Sequence, residues 1–243
     1  MTPTTTLAVS GRVLTQIRRD RRTLAMLLVL PCLLITLLWW MFEDTPVFDE
    51  VGPALLAMFP FIVMFLVTSV TTLRERSGGT LERLLAMPMG KLDFLLGYGV
   101  AFGVIAAVQS VLAVALSVGL LGLDVQGPVW LLTVVAIVDA VLGTALGLFV
   151  SAFAQTEFQA VQFMPAIVIP QILLCGLFVP RDQLPTVLEW VSNVLPLSYA
   201  VDAMQTLTRT AETGDVWRDL AVVAGYAVAG LVLGAATLRR RTP

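Results

Sequence analysis

The chain has 243 residues, 58% hydrophobic and 13% charged, with a formal charge of −2 and a mean hydropathy of +0.89. Soluble domains carry about a quarter of their residues as charges, so this composition excludes a water-soluble globular protein. With no histidine and two cysteines, the commonest general base and commonest metal ligand are missing, which argues against metal-centred chemistry.

Residues 1–22 interleave Leu7, Val9, Val13, Leu14 and Ile17 with Arg12, Gln16, Arg18 and Arg19. That pattern suits an interfacial helix on the inner membrane surface. For the first ten residues the alternative is a disordered arm held near anionic lipid.

Six apolar runs follow, each near or above the roughly 18–20 residues that cross a hydrocarbon core. They are Thr23–Phe42, Pro53–Leu73, Phe94–Leu121, Val129–Phe153, Phe158–Val179 and Leu220–Leu238. None alternates with period 2, so they read as helices and not barrel strands. The first follows four arginines as a signal peptide would, but it is too long for a signal core and no small-residue cleavage site follows, so it reads as a retained anchor.

Charge sets the expected orientation. Arg12, Arg18, Arg19, Arg21 and Arg22 precede the first run, Arg74, Arg76, Arg83 and Lys91 follow the second, and Arg239, Arg240 and Arg241 end the chain, out of 15 basic residues. Cytoplasmic loops near helix ends collect such residues, so both termini are expected in the cytoplasm. The opposite side carries acids: Glu43–Glu50 has four and no base, and the third loop offers Asp124.

Between the second and third runs lies LRERSGGTLERLLAMP, Leu73–Pro88. Gly78 and Gly79 break the preceding helix and Thr80 offers a hydroxyl cap to a new one. Leu81, Leu84 and Leu85 fall on one face with Glu82 and Arg83 turned away, and Pro88 disfavours continuation. A solvent-facing leucine stripe on so short a helix calls for a cover, either the ends of the spans or a separate protein.

Within the spans, Asp139 lies near the middle of the fourth, where a charged carboxylate costs roughly 2.5–3.5 kcal/mol on insertion scales. Either it faces a functional interior, or it is a protonated acid bonded to a neighbouring helix. Gln155, Gln159 and Gln162 recur at i, i+4 and i+7 at the start of the fifth span; they either line a substrate route or bond helices together. Pro165 and Pro170, followed by Gln171, suggest a kink there. Cys32 and Cys175 read as packing groups in the spans. The outer segment Pro180–Val216 carries stripes at Val187, Val191, Val194, Leu195 and at Met204, Leu207, punctuated by prolines, and reads as two short helices that dip into or lie on the outer leaflet.

Catalytic signatures are missing. Lys91 follows no G-x-x-x-x-G run and no serine stands in G-x-S-x-G, so the chain is not expected to hydrolyse ATP by itself.

The run R-E-R-x-x-G-T-L-E-R-L-L-A-x-P, Arg74–Pro88, resembles the signature of type 2 ABC exporter permeases, and Cys175–Met204 is similar to that family's outer segment after the fifth span. With six spans the resemblance covers nearly the whole chain, and within the family it is similar to daunorubicin-resistance-type efflux permeases, whose ATPase is a separate chain. It implies an all-α membrane protein forming one permease domain over residues 1–243: interfacial helix 1–22, spans one and two 23–73, coupling loop 74–93, spans three to five 94–179, outer re-entrant segment 180–216, last span and basic tail 217–243.

The resemblance also implies that Thr80–Met87, with Thr80, Leu81, Glu82, Arg83, Leu84 and Leu85, is the coupling helix docking on an ATP-binding subunit, and that residues 7–20 are the family's connecting helix. The implied partners are that ATPase, a second permease copy in a homodimer or heterodimer, membrane lipid and a hydrophobic or amphipathic substrate, with no nucleic acid. ATP and Mg would sit on the ATPase, leaving no cofactor in this chain. Asp139, Gln155, Gln159, Gln162 and Gln171 are candidates for the translocation path of an exporter in the cell membrane. The rival expectations are a permease for a lipid-linked glycan and a membrane protein that recruits a partner without transport.

Overall fold

A computed structural model describes residues 3–43, 45–78 and 91–237. The described helices are α1 (Pro3–Arg19), α2 (Arg21–Met41), α3 (Val47–Ser77), α4 (Lys91–Gly119), α5 (Val129–Val150), α6 (Glu157–Leu174), α7 (Thr186–Val194), α8 (Pro196–Arg209) and α9 (Gly214–Thr237), with one 3-10 turn at Arg181–Gln183 before α7. Among the described residues there is no strand. Six helices, α2 to α6 and α9, are long and apolar enough to cross a membrane.

Local chemistry sets several of the helix ends. Asp20 separates α1 from α2, its carboxylate accepting from the Arg22 and Thr23 amides at 3.2 Å each. The Thr23 hydroxyl, at 2.6 Å, adds a third bond, and together these hold the carboxyl below its ordinary range. The second span starts earlier than expected, at Val47 and not Pro53, because Asp49 and Glu50 occupy the first turn, where the helix dipole favours acids. The fifth span is shorter than expected: α6 ends at Leu174, and Gly176, at φ 92°, turns the chain away in a conformation that glycine adopts at no steric cost.

Helix α5 is the centre of the bundle. It packs against α3, α9, α4 and α8, and two thirds of its most apolar stretch is buried, 67%, as in α3, against 17% in α2 and α6. The α3–α5 contact is closest at Gly143 and Gly147, one helical turn apart. A Cβ at Gly143 would fall on the Phe61 carbonyl oxygen, and one at Gly147 on that of Phe65. This is the small-residue packing that brings membrane helices together when apolar burial supplies no driving force between them.

Residues 3–19 form a helix, so the arm is ordered there. Its stripe Val9, Val13 and Ile17 is buried against protein, not lipid, in a cluster with Tyr98, Ala101 and Phe102 of α4. Gly97 permits the approach: an added Cβ would come within 2.6 Å of Val9 Cγ1.

The two outer helices differ. In α7, Val187, Trp190 and Val194 are exposed, whereas α8 buries Leu197, Ala200, Val201, Met204 and Leu207 against α9, α3 and α5. All five tryptophans, Trp39, Trp40, Trp130, Trp190 and Trp217, belong to the end of the bundle where α2 finishes and α5 and α9 begin. Trp130 and Trp217 meet there at 6.2 Å. The opposite end carries Arg12, Arg18, Arg19, Arg74 and Glu157.

Candidate functional site

The predicted coupling residues Thr80, Leu81, Glu82, Arg83, Leu84 and Leu85 lie outside the described residues. The helix that leads into them is described. Gly78 closes α3 with its amide on the Arg74 carbonyl at 2.9 Å, so Arg74 and Glu75 occupy its last turn.

These two residues point to different helices. Glu75 is buried, 7% exposed, and accepts from Arg12 at 3.1 and 3.2 Å and from Gln16 at 3.3 Å; the Tyr98 hydroxyl lies against the same carboxylate. Arg74 forms a two-point pair with Glu157 at 2.8 Å for each bond. The Arg-Glu dipeptide thus ties α3 to α1, α4 and α6 at the point where the chain leaves for residues 79–90.

The two pairs differ in what their loss leaves behind. Arg12→Ala strands Glu75 in a buried position, and an under-satisfied buried polar group costs about 1–3 kcal/mol. Glu157→Ala removes a pair whose side chains are 62% and 51% exposed, which water replaces at a cost of roughly 0–1 kcal/mol. Thermal melts of the detergent-purified variants should therefore rank Arg12→Ala well below Glu157→Ala. Equal losses would contradict the assignment of Glu75 as the buried anchor.

The path candidates fall into three places. Gln171 is buried, 2% exposed; its Nε2 donates to the Ile167 carbonyl at 3.2 Å, and its Oε1 accepts the Leu197 amide at 3.3 Å. It therefore caps the start of α8 and joins that helix to α6. Gln155 and Gln159 build the start of α6: the Gln155 amide donates to Gln159 Oε1 at 2.8 Å, and the Gln159 amide to Thr156 Oγ1 at 3.2 Å, a variant of the capping box. Gln159 and Gln162 are exposed on α6, and Gln155, just before its cap, is exposed as well. Asp139 is fully buried in α5, and neither carboxylate oxygen has a hydrogen-bond partner among the described residues. The structure thus brings Gln171 into the bundle and leaves the other three glutamines on its surface, apart from Asp139.

Two residues escaped the sequence reading. Gln109, the one glutamine in α4, is fully buried with both amide atoms unpartnered among the described residues; a lone amide in an apolar run was its signal. Arg181 is the other. It donates to Ser192 Oγ at 3.0 Å, pairs with Asp202 and Asn193, and lies 5.1 Å over the Tyr199 ring. Ser192 in turn donates to the Leu174 carbonyl at 2.8 Å, so this arginine knots α6, α7 and α8 together. Burial pushes the Asp202 carboxyl up, with Arg181 opposing the shift. Its signal was a single base following Pro180. Among the described residues no group of three acidic or cysteine side chains is placed to hold a metal.

A helix bundle with six apolar spans, an ion-paired end and a tryptophan-lined end defines a multi-pass membrane protein. The ABC-2 type transporter family matches residues 4–208, and the chain belongs to that family, the membrane permeases of ABC transporters. It is 27% identical over 171 residues to the probable multidrug ABC transporter permease YbhR of Escherichia coli, covering 70% of this chain and 46% of that protein. It is 26% identical over 182 residues to the inner membrane transport permease YhhJ of the same organism, covering 74% and 48%. To ABC transporter G family member 20 of Dictyostelium discoideum it is 24% identical over 159 residues, covering 65% and 22%. The chain spans less than half the length of these relatives.

Proposed function

We propose that the chain is the membrane-spanning half of an ATP-driven exporter that moves a drug or other amphipathic, lipid-like compound out of the cell. The observation that carries this reading is the placement of Arg74 and Glu75. A push on residues 79–90 would reach α1, α3, α4 and α6 together through these two side chains. Thr80, Leu81, Glu82, Arg83, Leu84 and Leu85 meet a separate ATP-binding subunit, which holds ATP and Mg. The name of the Escherichia coli permease YbhR supports the drug reading.

The arginine end faces the cytoplasm and the tryptophan end the outer leaflet, in keeping with the charge bias of inner loops and the interfacial preference of tryptophan. Both termini are then cytoplasmic and the protein sits in the cell membrane. Helices α7 and α8, knotted by Arg181, form a re-entrant outer cap. The exposed apolar flanks of α2 and α6, with Leu33, Leu37, Val161 and Ile169 among their residues, are covered by lipid and by a second permease copy. Asp139 and Gln171 stand along the path that opens as the spans tilt, with Gln155, Gln159 and Gln162 at its inner mouth.

The test is purification of the tagged chain in mild detergent with mass-spectrometric identification of its companions, beside a Leu81/Leu84/Leu85→Ser variant. An ATP-binding subunit is expected with the wild type and not with the variant. If crosslinked wild-type samples contain no ATPase, the exporter reading falls.

A further inference from the structure

Where α1 ends and α2 begins, four arginines fall within five consecutive residues: Arg18 and Arg19 in the last turn of α1, Arg21 and Arg22 in the first turn of α2. All four are exposed. The salt bridges among the described residues use Arg12, Arg74 and Arg181 and none of these. Asp20, the acid between them, has its oxygens on the Arg22 and Thr23 amides and the Thr23 hydroxyl. The corner therefore carries four cations against one carboxylate, and their mutual repulsion is relieved by an anion from outside the chain.

The helix beyond the corner is apolar and uncovered. Met26, Val29 and Leu33 follow Arg22 at i+4, i+7 and i+11, so the four side chains form one stripe along α2. Each of the three apolar residues is more than half exposed, and only 17% of the most apolar stretch of α2 is buried. A basic head thus stands at the start of an apolar track on a helix long enough to cross a membrane.

We propose that the α1–α2 corner is a binding site for an anionic phospholipid, with its phosphate on Arg18, Arg19, Arg21 and Arg22 and an acyl chain along Met26, Val29 and Leu33. The two halves of the site select the ligand together. Guanidinium groups pair with phosphate oxygens through two parallel bonds, but a free phosphate would leave the apolar track bare. A zwitterionic phospholipid would cover the track while bringing its own ammonium up to the arginines. An anionic lipid matches both, in keeping with the attraction of basic clusters beside membrane spans to such lipids. The site requires α2 to cross a membrane and does not depend on export.

The experiment uses the full chain, purified in mild detergent and stripped of lipid, with an equimolar mixture of phosphatidylglycerol and phosphatidylcholine carrying the same acyl chains. Native mass spectrometry counts which lipid is retained. An arginine beside an anionic lipid contributes a factor of about five, so the wild type should favour phosphatidylglycerol by at least about tenfold. Arg18/Arg19/Arg21/Arg22→Gln should retain the two lipids about equally, whereas the same four positions changed to Lys should keep most of the preference. Arg209/Arg218→Gln, two exposed arginines at the tryptophan end, should behave as wild type. Glycerophosphoglycerol, the same headgroup without acyl chains, should not displace the lipid even in large excess. Equal retention by the wild type, an unchanged preference in the four-Gln chain, an equal loss in Arg209/Arg218→Gln, or displacement by the soluble headgroup overturns the proposal. If the four-Gln chain does not purify, Arg22→Gln decides alone, with a loss of about fivefold expected and no loss overturning the site. ATPase co-purification is a separate readout, so failure here leaves the exporter reading standing.

Discussion

Gly143→Leu is expected to leave little folded protein. At this position α3 and α5 approach until the Phe61 backbone occupies the space of a side chain. The obstacle is a carbonyl held within a helix, not the flexible tip of a side chain, so it cannot swing aside. Overpacking a well-packed core costs typically about 1–3 kcal/mol and sometimes more; with backbone as the obstacle and α5 at the centre of the bundle, the upper end or beyond is expected. Gly225→Ala provides the control, because a Cβ there meets nothing within 4 Å. Fluorescence-detected size exclusion on heated samples checks the pair: Gly143→Leu should lose its monodisperse peak tens of degrees early or lack it altogether, while Gly225→Ala should melt with the wild type. Wild-type melting by Gly143→Leu would show that the glycine seam does not hold the helices together.

Leu84→Asp should abolish coupled transport while the protein remains folded and inserted. On the proposed reading the spacing of Leu81, Leu84 and Leu85 puts them under the cover of the ATP-binding subunit, and a carboxylate introduced there is an unpaired buried charge, which costs several kcal/mol. At about 1.4 kcal/mol per factor of ten, transport falls by more than tenfold. Glu82→Ala, which leaves the three leucines intact, should retain most activity. Substrate accumulation in inverted vesicles and ATPase turnover, measured side by side, check this: hydrolysis without accumulation marks uncoupling. Normal accumulation by Leu84→Asp would remove Leu81–Leu85 as the docking face.

Much of the fold was legible because membrane spans are written in composition. Runs without charge longer than about 18 residues have few alternatives, and all six appear as helices within a few residues of their expected ends, except where Asp49 and Glu50 lengthen α3, where α9 starts six residues early at Gly214, and where Gly176 shortens the fifth span. The sites were less legible. The spacing of Gln155, Gln159 and Gln162 suggested one helical face, but Gln155 precedes the cap of α6, and spacing does not say whether Gln159 and Gln162 look inward or outward; all three are exposed. Gln171 sits on the same helix and looks inward, because the Leu197 amide at the start of α8 waits there for an acceptor. The stripe Val9, Val13, Ile17 was likewise recognised as apolar, and only packing showed that α4 covers it.

Sequence alone therefore determined what depends on the solvent: a membrane protein, six spans, an arginine-rich end opposite an acid-rich one, and a charged insert after the second span. Transfer of each side chain between water and hydrocarbon is additive along the chain, so it can be read residue by residue. Tertiary structure decided what depends on neighbours. It set Arg74 toward Glu157 and Glu75 toward Arg12, turned Arg181 into the knot of the outer helices, and left Asp139 and Gln109 buried without hydrogen-bond partners among the described residues. Those outcomes follow from which helices share a boundary and at what register, a relation between residues as many as 83 positions apart that no local pattern contains.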